Sequence, residues 1–213
     1  MISPEFKEEY PLYRSDEEVF FHWYLDDLIE AGFIDKWNYE EEEYSLFSQV
    51  KLPWMEQMKT KTKERLFEAL KPSKYTPDFN FYWNDKAKGV FVNGPATIEK
   101  PFFAGSEFLD LTDQPKSVID VKGSSKSKGK KNSSAITFPL KQKLMWTVHN
   151  IFVHKVVPQE IFEKTFTPHR YTYTNKSGAK RKIKWKVRDV YEYEKYMTEG
   201  HQERKIEPQV NLF

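Results

Sequence analysis

Two short runs carry charge where a buried strand would normally carry apolar side chains: YTPDFNFYW at residues 75–83 and SVIDVKG at residues 117–123. A carboxylate in such a strand costs stability unless a partner or a bound ion compensates it, so each run points to a site. If the two pair side by side, Asp78 lies near the beginning of one strand and Asp120 near the end of the other. Lys122 follows two positions after Asp120 and, by the two-residue period of a strand, shares its face. Two carboxylates and a lysine so arranged make a metal site with a base beside it. Carboxylate oxygens suit a hard divalent cation such as Mg2+, with Mn2+ as its substitute, and the chain offers neither cysteine nor clustered histidine for zinc. Such a cation polarises a phosphoryl oxygen and acidifies a coordinated water, which a lysine can orient or help deprotonate.

The flanking sequence predicts the elements that position these groups. RSDEEVFFHWYLDDLIEAGFI has apolar residues at helical spacing, with Ser15 as N-cap and a stop at Ala31–Gly32. The acidic run Glu40–Glu43 reads as a solvated loop, and KTKTKERLFEALKP as a short helix ending at Pro72. YTPDFNFYW and GVFVNG read as strands around the turn NDKAKG, and SVIDV as a central strand buried on both faces. GSSKSKGKKNSS is too polar to pack and reads as a mobile loop. LKQKLMWTVHN then reads as a helix and IFVHKVV as another buried strand, which gives an α/β sheet with at least one crossover. RYTYTNKSGAKRKIKWKV has the pattern of a hairpin with a basic tip. The expected organisation is a core over residues 1–160, a basic hairpin lobe over 161–198 and a polar tail over 199–213.

Composition bounds the function. The 213 residues suffice for one sizeable core, and 16% of them are aromatic. No apolar run approaches membrane-spanning length, the start MISPEFKEEY lacks secretory features, and there is no cysteine, so the expected location is the cytoplasm. The net charge of +2 hides an asymmetry: residues 1–120 carry 14 Lys and Arg against 24 Asp and Glu, and the remainder carry 20 against 8. Between Asp120 and Asp189 the only acids are Glu160 and Glu163, so this span can present a basic surface to a polyanion. No glycine-rich phosphate-binding fingerprint is present, which argues against a nucleotide-triphosphate enzyme.

At Pro77–Asp78 and Asp120–Val121–Lys122 the chain resembles the PD-(D/E)xK, or restriction-endonuclease-like, nuclease superfamily. Gly123 after the lysine and the basic helix LKQKLMW are similar to the small phage and transposon-type members. Gln142 and Trp146 resemble the QxxxY element of RecB-type members, with Trp in the last place. Ser15-Asp-Glu-Glu-Val is similar to the family's first-helix motif and offers Glu17 or Glu18 as its glutamate, although Glu18 also completes a capping box with Ser15. The resemblance spans roughly residues 13–157. Asp78 and Asp120 are farther apart than the family pattern, which implies an insertion and leaves Glu107, Asp110 and Asp113 as alternatives to Asp78.

The resemblance implies a central mixed β-sheet flanked by helices, and a magnesium-dependent endodeoxyribonuclease acting on duplex or branched DNA. Glu18, Asp78 and Asp120 would hold the metal, with the Val121 carbonyl as a further ligand, and Lys122 would position the attacking water. Lys141, Gln142 and Lys143 would line the groove, while Lys126, Lys128, Lys130 and Lys131 in the loop and Lys180, Arg181 and Lys182 at the hairpin tip would meet phosphates. Many members act as dimers, so a homodimer fits the resemblance. The alternative is a non-catalytic nucleic-acid-binding protein that uses Tyr171, Tyr173 and Trp185 as stacking platforms.

Overall fold

The computed structural model describes residues 2–92, 116–123, 133–173 and 178–204. Its elements are α1 (Pro4–Lys7), α2 (Asp16–Glu30), β1 (Ile34–Tyr39), β2 (Tyr44–Phe47), β3 (Val50–Gln57), β4 (Thr62–Leu70), β5 (Ser73–Tyr75), β6 (Phe79–Trp83), β7 (Lys116–Val121), α3 (Ser133–His149), β8 (Val153–Val156), α4 (Pro158–Lys164) and α5 (Val190–Arg204). Helix α2 begins where its capping chemistry dictates: the Ser15 hydroxyl accepts from the Glu18 N–H at 3.3 Å and donates to the Glu18 carboxylate at 2.8 Å. This cap stabilises the helix by about 1 kcal/mol. At the other end Gly32, at φ 75°, takes the left-handed conformation that ends the helix.

The central sheet is mixed, with strand order β1-β6-β7-β8. β6 runs antiparallel to both β1 and β7, while β8 runs parallel to β7. The expected side-by-side pairing of YTPDFNFYW with SVIDV is therefore formed, and α3 supplies the crossover from β7 to β8. Alternation along β7 divides the molecule into two layers. Ile119 and Val121 enter one core with Phe21, Phe79, Phe81 and Trp83, where α2 packs. Val118 enters a second core with Leu46, Tyr75, Phe138, Met145 and Val153, where α3 packs and the β2–β5 pair completes the cover. Aromatics dominate the first core, as the composition leads one to expect. Tyr24 stacks on Phe166 at 4.3 Å between ring centroids, and Phe21 meets Phe79 edge-on at 5.3 Å.

Three expectations are corrected. KTKTKERLFEALKP is not a helix: Thr62–Leu70 is a strand, paired antiparallel with β3 from Val50↔Leu70 to Gln57↔Thr62. The pairing consumes the backbone groups that a helix would have used internally. The described part of GVFVNG is not a strand either, because Gly89, Val90, Phe91 and Val92 form a tight turn after the 3-10 helix Asp85–Ala87, and Phe91 is buried against Phe33. The C-terminal hairpin is reduced to a single bridge, Tyr173↔Lys180, with residues 174–177 outside the described set.

Packing explains the third correction. Tyr171 is buried against Phe20 and Phe162, and Trp185 stacks on Tyr171 while its indole N–H donates to Thr167 Oγ1 at 3.0 Å. These two rings are therefore core elements and not free stacking platforms. Phe162, Phe166, Tyr171 and Tyr193 belong to the same core as α2, and residues 199–204, expected as tail, continue α5. No helix among the described residues is long and apolar enough to cross a membrane.

Candidate active site

The register that pairs Phe79 with Ile119 and Asn80 with Val118 puts Asp78 level with Asp120 one step further on. Both lie on the α3 face, because they alternate with Phe79 and with Ile119 and Val121, which face the α2 core. Asp78 Oδ2 accepts the Val121 N–H at 2.6 Å, and the Asp78 carbonyl accepts the Glu40 N–H at 3.0 Å. The carboxylate is thus fixed to the end of β7 by β7's own backbone. Asp120 is 5% exposed, and its Oδ2 lies 2.5 Å from Lys122 Nζ. The Lys122 N–H donates to the Val156 carbonyl at 2.8 Å, so the strand direction persists past β7 and keeps Lys122 on the face of Asp120.

Electrostatics mark this pair of carboxylates. Burial, and then the negative charge of Asp120, push the Asp78 carboxyl up to about 7, against the opposing pull of Lys122 and the Val121 N–H; Glu18 adds a smaller upward push. The Tyr75 hydroxyl is raised well above its ordinary range, by burial first and by the charges of Asp120 and Asp78 second. The side-chain amide of Asn80, which is 1% exposed, makes no hydrogen bond among the described residues. Asn80 shares the face of Asp78 by strand alternation. A buried acid that resists ionisation, with an unsatisfied buried amide on the same face, is an environment that a cation with its waters would complete. Sequence reasoning missed Tyr75 and Asn80, although their spacing of three before and two after Asp78 was readable.

The remaining expected residues divide into three groups. Glu18 is 7% exposed and committed to the fold: its carboxylate accepts from the Ser15 hydroxyl, the Arg14 N–H and the Tyr39 hydroxyl, each at 2.8 Å. The neighbouring Glu17 projects to the end of β7, where a Cβ on Gly123 would lie 3.1 Å from Glu17 Oε1. Lys141 is exposed on α3 with its ammonium 4.9 Å from the centre of the Tyr75 ring, and Lys143 is also exposed. Gln142 instead donates to the Val153 carbonyl at 2.6 Å and ties α3 to β8. Lys180 and Lys182 are exposed, but the Arg181 guanidinium lies over the Phe20 and Tyr171 rings and donates to the Tyr171 carbonyl. Lys126, Lys128, Lys130, Lys131 and the alternatives Glu107, Asp110 and Asp113 lie outside the described residues.

The donor set is compatible with magnesium. Among the described residues no three Asp, Glu or His side chains form a group able to hold a metal by themselves. Mg2+ needs no such cage, because it retains several waters and binds through one or two carboxylates. The facing pair Asp78 and Asp120 would supply those oxygens, and two carboxyls held level where β6 meets β7 would gain from a shared cation. Comparison with protein-family models, with curated proteins and with solved structures returns no match to this chain, so the functional reading rests on the site itself.

Proposed function

We propose that this protein is a magnesium-dependent nuclease that hydrolyses DNA phosphodiester bonds at the Asp78–Asp120–Lys122 site. The observation that carries the reading is the facing pair of carboxylates, one just before β6 and one in β7, the first with its pKa raised to about 7 and the second with a lysine ammonium 2.5 Å away. Asp78 and Asp120 would hold the cation; of the two helix glutamates, Glu18 adds its charge to Asp78 but already accepts from Arg14, Ser15 and Tyr39, and Glu17, beside Gly123, is the alternative helix carboxylate. The cation, when bound, polarises the scissile phosphate and acidifies a coordinated water.

The chain's own residues do the rest. Asp120 holds the Lys122 ammonium on the site's face, so that Lys122 orients the attacking water. The Val121 N–H fixes the Asp78 carboxylate in place before substrate arrives. Lys141 and Lys143 on α3 supply positive charge to the phosphates on either side of the scissile bond. Opposed charge in the two halves of the chain follows, with acids holding metal and the basic half holding backbone.

The test is incubation of the purified chain with linear, nicked and four-way-junction DNA in Mg2+, in Mn2+ and in EDTA. Cleavage that requires the metal and is lost in Asp120→Asn is the expected result. No cleavage of any of these substrates in either metal would remove the nuclease reading.

A further inference from the structure

Strands β3 and β4 form a ribbon that no third strand extends among the described residues. Every residue from Val50 to Leu70 is exposed except the half-buried Glu56 and Ala69. An isolated two-stranded ribbon is marginal in water, so one this long calls for a ligand on its surface. The pairing Leu52↔Phe67 and Trp54↔Arg65 puts these four side chains on one face, and Trp54 and Phe67 are 62% and 61% exposed. At the tip the Met58 N–H donates to the Lys61 carbonyl at 2.9 Å and closes a two-residue turn, Lys59–Thr60. From Gln57 to Lys63 there are three lysines and no acid, and no ion pair holds Lys59, Lys61 or Lys63 among the described residues. Behind the tip, Glu56 is paired with Arg65 at 2.7 Å.

The root of this ribbon is joined to the site. β3 continues from β2 and β4 leads into β5, and β2 and β5 pair with each other under α3. β5 ends at Tyr75, whose ring lies beneath Lys141 and whose hydroxyl feels the charges of Asp120 and Asp78. Eight paired positions at about 3.3 Å each give a reach of about 26 Å. A two-stranded ribbon fits the major groove of B-form DNA, about 12 Å wide.

We propose that the β3–β4 ribbon is a DNA-gripping arm that enters the major groove of a duplex lying across the Asp78–Asp120 site, with Lys59, Lys61 and Lys63 on phosphates and Trp54 and Phe67 against base edges. This inference rests on the nuclease reading for the position of the duplex. Charge decides the occupant: an apolar partner would leave three clustered tip lysines uncompensated, whereas a polyanion neutralises them and still accepts the aromatic face against thymine methyls. The ribbon also gives the acidic half of the chain a cationic tip.

The experiment measures binding of a labelled duplex in EDTA as a function of salt. It compares the full chain, the triple variant Lys59→Ala/Lys61→Ala/Lys63→Ala, and Trp54→Ser; all four positions are exposed, and thermal melts confirm the fold. The triple variant is expected to bind about 10- to 100-fold more weakly at 0.1 M salt, with the slope of log affinity against log salt reduced by up to about 2.7, or about 0.9 for each phosphate no longer neutralised. Trp54→Ser is expected to weaken binding with the slope unchanged.

Wild-type affinity and slope in the triple variant overturn the arm. So does a change from dimer to monomer in Trp54→Ser with duplex affinity unaltered, since the ribbon would then face a second copy of this chain. Cleavage by the unaltered protein is scored separately. Arm-dependent binding without metal-dependent cleavage removes the nuclease reading and leaves the arm. Cleavage with arm-independent binding does the reverse, and a wild-type chain that neither binds nor cuts duplex removes both.

Discussion

Replacing Asp78 by asparagine should stabilise the metal-free protein at alkaline pH while abolishing cleavage. A carboxyl raised from 3.8 to about 7 holds its proton more tightly in the folded than in the unfolded chain. Its ionisation therefore opposes folding: the effect is absent below about pH 4, accumulates between about pH 4 and 7, and is complete above that. A raised pKa of this size corresponds to about 4 kcal/mol at the limit, and solvent access to a half-buried group lowers this to about 2–3 kcal/mol. Asparagine removes the charge but keeps an oxygen to accept the Val121 N–H, so the anchoring bond at 2.6 Å need not be lost. In EDTA at pH 8 the melting temperature should rise by about 5–10 °C, and at pH 4 the two proteins should melt within about 2 °C of each other. Magnesium should stabilise the wild type at pH 8 and leave Asp78→Asn unmoved, since the cation replaces the proton. The measurement is calorimetry at both pH values, with and without Mg2+. A variant less stable than wild type at pH 8, or a gain equal at both pH values, would refute the argument that Asp78 is a desolvated, charge-repelled acid.

Two other perturbations separate chemistry from folding. Lys122→Ala should abolish cleavage and destabilise by about 1–3 kcal/mol in urea melts, because it strands the buried Asp120 charge; adding Asp120→Asn to it should recover most of that loss, and strictly additive effects would show that the 2.5 Å pair is not coupled. Glu18→Gln should lower stability by about 1–2 kcal/mol through the cap and the Tyr39 bond, whereas Glu17→Gln should leave stability within about 0.5 kcal/mol and reduce metal-dependent cleavage; the reverse pattern would reassign the helix carboxylate.

The sequence disclosed the central sheet better than it disclosed the surface. Buried strands announce themselves because burial restricts residue choice: SVIDV reads as central and lies between two neighbours, and a charge within it stands out against an apolar background. The same constraint gave the pairing of TPDF with DVK, since only one register sets both apolar faces toward the α2 core. The β3–β4 ribbon obeys no such rule. Exposed on both faces, its strand β4 has no apolar alternation to betray its period, and Leu66, Phe67, Ala69 and Leu70 mimic a helical spacing. The β-branched Thr60 and Thr62 flanking Lys61 were the available counter-signal. The C-terminal segment erred the other way. Its alternation of aromatic and basic residues is real, but Tyr171 and Trp185 use it to stack on one another inside the core, with Arg181 laid over the same ring, instead of facing a strand partner.

Glutamates 17 and 18 show why adjacency in sequence cannot settle a role. They occupy successive positions about 100° apart on one helix turn, so their carboxylates meet different surroundings. One closes the capping box that starts α2 and accepts from Tyr39; the other reaches the glycine that ends the β7 run. The capping box is legible from Ser15 and Glu18, because its bonds are local. The approach of Glu17 to Gly123 depends on how α2 lies across the sheet, a long-range fact with no periodic trace. Gly123 provides the only sequence hint: a residue with no side chain leaves room where any Cβ would press within 3.1 Å of a carboxylate oxygen. A glycine directly after Lys122 is thus explained by the helix carboxylate it admits beside the end of the strand.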